Sequence, residues 1–256
     1  MTKERHVVAL SGGKDSCCLA LALREREPRD YEYLYTPTGD ELPDMDLHML
    51  HMEKLLETKI TRVGSGRTLA GLAIEQAHLP NHRQRWCTRM LKIEPYQQYL
   101  ATIAPAVSYV GIRADEVENR EGVDHGAMDG ISNRYPFVEW GWGIKDVYAY
   151  LDERGVTVPA RTDCGCCFFQ TLPEWWRLWK GQPELFEKYV VMEETVSKLR
   201  GKPCTLRSDG RDTWPAALKD LRAEFERGRV PRGARYQGEL FQGMDHRKRM
   251  CSFCAR

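Results

Sequence analysis

No stretch of the 256-residue chain approaches the roughly 18 consecutive apolar residues that a membrane-spanning helix needs. The opening segment MTKERHVVAL has too short an apolar run for a secretory leader and leads directly into a glycine-rich turn. The expectation is therefore a cytoplasmic protein with no membrane partner. Net charge is nearly absent as well, +1 in total, so the whole molecule has no field that would gather a polyanion. There is no internal repeat and no low-complexity tract. With 42% hydrophobic and 29% charged residues, the chain is not wholly disordered, collagen-like or coiled-coil. Its length suits one large domain, or one domain with a substantial appendage.

Cysteine is present in unusual number, nine in all: Cys17, Cys18, Cys87, Cys164, Cys166, Cys167, Cys204, Cys251 and Cys254. In a reducing compartment, clustered cysteines point to metal or redox chemistry rather than a disulfide framework. Cys17 and Cys18 fall in a segment that reads as a buried helix, where a free thiol behaves as a small hydrophobe. Cys204 is isolated and reads as structural. Cys164 and Cys167 form one C-x2-C pair, and Cys251 and Cys254 a second. Two such pairs suit a tetrathiolate site for zinc or for an iron–sulfur cluster, and spacing does not choose between them.

The first half alternates strand-like and helix-like segments. His6–Leu10, Tyr31–Tyr35, Lys59–Val63 and Ser108–Ile112 read as strands. Ser16–Arg24, a segment capped near Asp44 and running through Thr58, Arg67–His78 and Tyr96–Ile103 read as helices. This rhythm predicts an α/β fold with a parallel sheet covered by helices on both faces, and a ligand at the carboxyl ends of its strands. The second half is less regular, with helices expected over Lys145–Glu153 and most of Pro173–Arg200. Trp175, Trp176 and Trp179 read as packing residues. The pattern weakens after Gly201, and Gly228–Gly243 reads as an extended loop. The expected division is a nucleotide-binding domain over 1–160 and a helical and irregular, cysteine-bearing region over 161–256, packed on the first.

Ser11-Gly12-Gly13-Lys14-Asp15-Ser16 follows the first strand and opens the first helix. The glycines allow a sharp turn and a close approach to the backbone, the helix N-terminus favours an anion, and Ser11, Lys14 and Ser16 add donors. The hexapeptide is not a GxxxxGK[ST] loop. It resembles the PP-loop of the ATP pyrophosphatases. Further segments resemble the phosphoadenosine-phosphosulfate (PAPS) reductase-like branch of that superfamily. They are Thr38-Gly39-Asp40-Glu41-Leu42-Pro43 after the second strand, Cys87-Thr88 with Leu91-Lys92 and Pro95, Gly111-Ile112-Arg113 with Glu116 and Arg120, and Tyr135–Trp140 followed by Asp146–Leu151. They run in family order from Ser11 to about Leu151, and the chain beyond about Leu172 matches only loosely.

The resemblance implies an adenine-nucleotide α-hydrolase-like sheet and an enzyme that uses ATP and Mg2+. Ser11–Ser16 would grip the nucleotide phosphates. Lys92, Arg113 and Arg120 would neutralise phosphate charge, and Asp15, Asp40 and Glu41 are the candidate magnesium carboxylates. Thr36, Gly39 and Gly111 would line the nucleotide site. Lys14, Asp15, Lys92 and Arg113 are the candidate catalytic residues. In cluster-bearing relatives the cysteine at the position of Cys87 is a ligand near the nucleotide. The resemblance therefore favours a [4Fe–4S] cluster held by four of Cys87, Cys164, Cys167, Cys251 and Cys254, with Cys166 as an alternate and zinc as the alternative metal.

A literal PAPS reductase would carry a degenerate phosphate loop and a Glu-Cys-Gly-x-His segment; here the loop is intact and the segment is absent. The expectation is an enzyme that adenylates a substrate with release of pyrophosphate, for sulfur transfer or modification of a nucleic acid. Its sulfur would come from a donor protein such as a cysteine desulfurase. Residues 222–256 carry nine Lys/Arg and four Asp/Glu, an asymmetry that suits a phosphate backbone. Two alternatives stay open: a true PAPS or adenylyl-sulfate reductase, and a non-catalytic nucleotide-binding accessory subunit of a modification or defence complex.

Overall fold

In a computed structural model, which describes residues 4–119 and 128–234, five short strands form one parallel sheet. In chain order the elements are β1 (Arg5–Ala9), α1 (Lys14–Arg26), β2 (Tyr31–Tyr35), α2 (Pro43–Leu56), β3 (Ile60–Arg62) and α3 (Leu69–Glu75). A short α4 (Trp86–Thr88) runs through a π-helical turn at Arg89–Ile93 into α5 (Glu94–Ile103). Then come β4 (Ala106–Tyr109), a 3-10 turn at Ala114–Asn119, β5 (Ile131–Arg134), α6 (Pro136–Glu139) and α7 (Ile144–Glu153). The helical C-terminal part contains α8 (Leu172–Gly181), α9 (Pro183–Arg200) and α10 (Leu218–Glu226). Among the described residues no helix is long and apolar enough to cross a membrane.

The strand order is β3-β2-β1-β4-β5, with β1 paired to both β2 and β4. The order reverses between β1 and β4, and that crevice is where an open parallel sheet accepts ligands. Alternation along the strands supplies both faces. Val8, Tyr33, Tyr35, Val107 and Tyr109 pack with residues of α1, α2 and α7, whereas Val7 and Leu34 meet Leu100 of α5. Helix α1 is buried from Ser16 through Leu23, Cys17 and Cys18 included, as the apolar segment predicts. A second core joins α3 and Leu91 to α8, α9, α10 and Cys166, so the helical part shares its interior with the α3 region of the sheet domain.

Several boundaries differ from the sequence reading. Asp44 does not cap α2; Pro43 occupies its first turn after Leu42, and Asp44 and Asp46 face the helix dipole instead. The stretch after Pro173 is two helices, because Pro183 opens a new one beyond Gln182. Strand β5, with the polar sequence ISNR, carries no periodic signal, whereas the apolar positions Leu218, Leu221 and Phe225 of α10 have helical spacing that the sequence reading passed over.

The loops of the C-terminal part are tied to Glu193 of α9. It is 3% exposed, and its two carboxyl oxygens accept from the backbone N–H groups of Leu206 and Leu218, both at 2.7 Å. Burial, opposed by these two bonds, raises its pKa from 4.5 to about 7. A raised carboxyl favours the fold below the unfolded value and loses that contribution as pH rises through the folded one. Urea unfolding should therefore give a stability that falls by up to about 3 kcal/mol from about pH 5 to about pH 8. Glu193→Gln should flatten the profile, and a parent stability that rises across that window would contradict the assignment.

Candidate nucleotide site and thiol cavity

The Ser11–Ser16 loop lies at the carboxyl end of β1, at the reversal of strand order. Gly12 has φ +82°, a left-handed conformation that favours glycine, and a Cβ there would also stand 2.5 Å from the Met45 methyl and displace it. Ser16 closes the turn: its hydroxyl accepts from the Ser11 N–H at 3.1 Å and donates to the Gly13 carbonyl at 3.0 Å. The loop leads into the 13-residue α1, whose first N–H groups have no intrahelical acceptor. Gly111, after β4, approaches this turn closely; a Cβ there would lie 3.2 Å from the Asp15 carbonyl oxygen.

His48 of α2 supports the loop from behind, and sequence reasoning missed it. It is buried, with Nε2 3.0 Å from the Gly12 carbonyl and 3.4 Å from Cys17 Sγ. Burial lowers its pKa, which favours the neutral ring with Nε2–H donating to Gly12. The only cue in the sequence is a polar residue on an otherwise apolar helical face.

Arg113 does not present an open guanidinium. It is 2% exposed and pairs with Asp15 Oδ1 at 2.9 Å, Asp115 Oδ1 at 2.9 Å and Glu116 Oε1 at 2.7 Å. The other Asp15 oxygen pairs with Lys14 Nζ at 2.8 Å. Arg113, expected at the phosphates, thus holds Asp15 at the loop through this ion pair. Tyr148 of α7 is half-buried within electrostatic reach of Lys14, Asp15 and Arg113; burial raises its pKa.

The candidate magnesium carboxylates separate. Asp40 is 2% exposed, accepts from the Ala70 N–H of α3 at 2.8 Å and is ion-paired to Lys188 of α9. Glu41 Oε1 accepts from the N–H and hydroxyl of Thr38, both at 2.6 Å, and its Oε2 from the Gly39 N–H at 2.9 Å. Both carboxylates organise the loop after β2, and Asp15 is the one of the three at the phosphate loop. Thr36 and Gly39 lie in this same loop, with Gly39 at φ +75°. Arg120 lies outside the described residues.

Three of the candidate thiols come together. Cys87, Cys164 and Cys167 line one cavity with the buried Cys166, Lys92 and Asp163. Cys251 and Cys254 lie outside the described residues. The Cys164 segment is stitched to the loop after β2, with a bridge between Glu41 and Cys164, the Gly165 N–H on the Asp40 carbonyl at 2.8 Å, and Thr38 Oγ1 3.1 Å from Cys164 Sγ. Burial raises all four thiol pKa values, that of Cys164 to about 11. Lys92 opposes the effect at Cys87 and Cys164, and its own pKa is raised by Cys164, Asp163, Cys167 and Cys87 against desolvation. Lys92, expected at the phosphates, is the cation of the thiol cavity.

Two residues before Cys164, Thr162 Oγ1 lies 3.5 Å from the position of a Cβ on Gly13. One short segment therefore touches both the phosphate loop and the thiol cavity. Among the described residues no three His, Cys, Asp or Glu side chains are gathered tightly enough to hold a single metal ion. Gly165 sets the fit of this segment on α9, because a Cβ would stand 2.5 Å from Tyr189 Oη. Gly165→Ala should lower stability to urea by about 1–3 kcal/mol, and adding Tyr189→Phe should recover part of the loss. Parent-like stability of the single variant would show that the contact is not limiting.

A family model described as the phosphoadenosine phosphosulfate reductase domain matches residues 5–166. An uncharacterized protein of Methanocaldococcus jannaschii, MJ0973, is 27% identical over 194 residues, covering 71% of this chain and 46% of that protein. The chain thus spans about half the length of this curated relative. Among solved structures, the PAPS reductase from Candida auris aligns with a TM-score of 0.48 and 14% identity over 61% of this chain and 76% of that one. The U34-tRNA thiolase NcsA from Methanococcus maripaludis, solved with its [4Fe-4S] cluster, aligns with a TM-score of 0.44 and 13% identity over 85% and 80%. With the motifs in order on a parallel sheet and the family model spanning more than half of the sequence, the chain belongs to the phosphoadenosine phosphosulfate reductase domain family.

Proposed function

We propose that the protein binds ATP on the Ser11–Ser16 loop, adenylates a substrate oxygen with release of pyrophosphate, and serves sulfur transfer at the adjoining thiol cavity. The carrying observation is the segment that sets Thr162 against Gly13 and Cys164 in the cavity. In the first step the substrate oxygen attacks the α-phosphorus and the bond to pyrophosphate breaks. In the second a sulfide nucleophile attacks the activated carbon, the carbon–oxygen bond breaks, and AMP leaves with the electron pair. The α1 N-terminus and Lys14 hold developing phosphate charge, and Asp15, fixed by Arg113, is the carboxylate for Mg2+. The adenine nucleotide is the first partner implied, and a cysteine desulfurase-type protein is the sulfur source proposed, its persulfide being reduced to sulfide by an external dithiol that leaves as a disulfide.

The thiols suit a cluster better than a single ion. A mononuclear zinc needs its donors converging on one point. Thiols arranged around a cavity suit a [4Fe–4S] cluster, whose ligands bind different irons. Cys87, Cys164 and Cys167 would supply three ligands, and Cys251 or Cys254 the fourth. When bound, the cluster supplies soft iron with affinity for sulfur. Lys92 would balance the negative charge of the thiolates.

Lys14→Ala and Asp15→Ala should each weaken ATP use by about 10²-fold or more while the circular dichroism spectrum stays that of the parent. Parent-like ATP binding and pyrophosphate exchange in both variants would refute the phosphate-loop assignment.

Anaerobically purified protein should contain iron and sulfide, and Cys87→Ser and Cys164→Ser should each lower the iron content. A colourless protein with stoichiometric zinc would move the site to the structural-zinc reading. The family match also favours a second reading, sulfonucleotide reduction. With PAPS and a thiol reductant the protein should release no sulfite above background, and robust release would establish the reductase instead.

A further inference from the structure

Between Glu75 and Glu94 the chain carries Arg83, Arg85, Arg89 and Lys92 and no carboxylate. Lys92 and Arg85 line the thiol cavity, Arg83 is exposed on the turn before it, and Arg89 is exposed on the adjoining groove with Glu94 as its ion-pair partner. Asn81 Oδ1 accepts from the N–H groups of Arg83 and Gln84, both at 3.0 Å, and fixes an exposed turn over His82–Gln84. Arg85 lines the thiol cavity and also an open groove with Gln84, Trp86 and Arg89, so groove and cavity are continuous. Trp86 is 9% exposed, and its Nε1 is buried with no hydrogen-bond partner. Across the cavity stand Phe168 and Phe169, half-buried, with ring centroids 4.3 Å apart and the Arg85 guanidinium 5.5 Å from the Phe169 centroid.

A cationic rim alone would suit any acidic surface. A cationic rim beside partly exposed aromatic rings is the combination that binds unpaired nucleotides, since phosphates track the charge and bases stack on the rings. In the basic C-terminal segment, Arg222 pairs with Glu187, Arg227 with Glu224, and Arg229 pairs with Glu224 and stacks 3.8 Å from the Trp214 ring centroid.

We propose that the rim formed by Arg83, Arg85, Arg89, Phe168 and Phe169 docks a single-stranded nucleic acid, with one base presented to the thiol cavity. The proposal rests on the adenylation reading and names its substrate class. In this arrangement Arg83 and Arg89 hold phosphates on either side of the groove, and the phenylalanine pair stacks a base beside Lys92 and the thiols. Duplex is excluded because its bases are not free to stack on the rings.

The test is fluorescence anisotropy of the full-length protein with a short single-stranded RNA, the DNA of the same sequence, and the duplex, each over a range of salt. Both single strands should bind more tightly than the duplex. The Arg83→Glu/Arg89→Glu variant should lose about tenfold or more in affinity, and its salt slope should fall by roughly 0.7 per lost phosphate contact. Phe168→Ala/Phe169→Ala should lose about tenfold with the slope unchanged. RNA binding more tightly than DNA, or the reverse, would identify the sugar while supporting the site.

Parent-like binding in both variants would overturn the proposal. Loss confined to a variant reversing Arg247, Lys248 and Arg249 would also overturn it, moving the interface to the C-terminal segment. Tight binding of poly-glutamate but not of oligonucleotides, lost in Arg83→Glu/Arg89→Glu, would assign the rim to an acidic protein. These assays contain no ATP, so their outcome is independent of the Lys14 and Asp15 variants that test adenylation.

Discussion

The Arg113–Asp15 ion pair is the constraint on which the nucleotide site depends. Asp15 sits in the first turn of α1 and Arg113 in the loop after β4, so the pair spans the point where strand order reverses. Gly111 brings the two backbones together, and the guanidinium then satisfies three carboxylates in a place where water has little access. Removing one partner of a buried pair costs about 3–5 kcal/mol, because the other charge is left uncompensated. The pair also fixes where Asp15 points. A carboxylate at a helix N-terminus that is shared with Lys14 and Arg113 cannot swing into the loop, so the turn remains open to an anion.

The same economy of contacts joins the second site to the first. Asp40 is on the loop after β2, yet its side chain reaches the N-terminus of α3 and Lys188 of α9, and its carbonyl receives Gly165. One residue thereby links the sheet, the helical part and the cysteine segment. Thr38 and Glu41 complete the arrangement by holding the loop rigid against Cys164. The thiol cavity is therefore assembled from three distant stretches of chain around a loop that also borders the nucleotide site.

The turn at Ser11–Ser16 between β1 and α1 was legible because its signals are local: glycines, hydroxyls and a helix start lie within six consecutive residues. The alternation of strands and helices was legible for the same reason. The partners of Arg113, Asp40 and Lys92 were not, since a charged side chain in a motif reads identically whether it faces a ligand or a buried counter-charge. Asp40 and Lys188 lie far apart in sequence, and only the packing of α9 on α3 brings them together. His48 was hidden because one polar residue on an apolar helical face carries no sign of its acceptor. Strand β5 was missed because an edge strand with the sequence ISNR has neither an apolar run nor an alternating one.

The electrostatics of the cavity bear on what state its cysteines occupy. Burial pushes Cys87, Cys164, Cys166 and Cys167 toward the neutral thiol, and each would repel a second thiolate beside it. Lys92, Arg85 beside Cys87 and Arg161 beside Cys167 oppose this, yet desolvation remains the larger effect at each thiol. Thiols that are neutral at ordinary pH are poor nucleophiles and poor ligands. Either they pack as small hydrophobes, as Cys17 and Cys18 do, or a further cation draws their protons off. Packing does not explain why Lys92, Asp163, the Thr38 hydroxyl and the Thr88 N–H all converge on them. Lys92 favours a first thiolate at Cys87 or Cys164, whereas Asp163 and the neighbouring thiols oppose a second at Cys167.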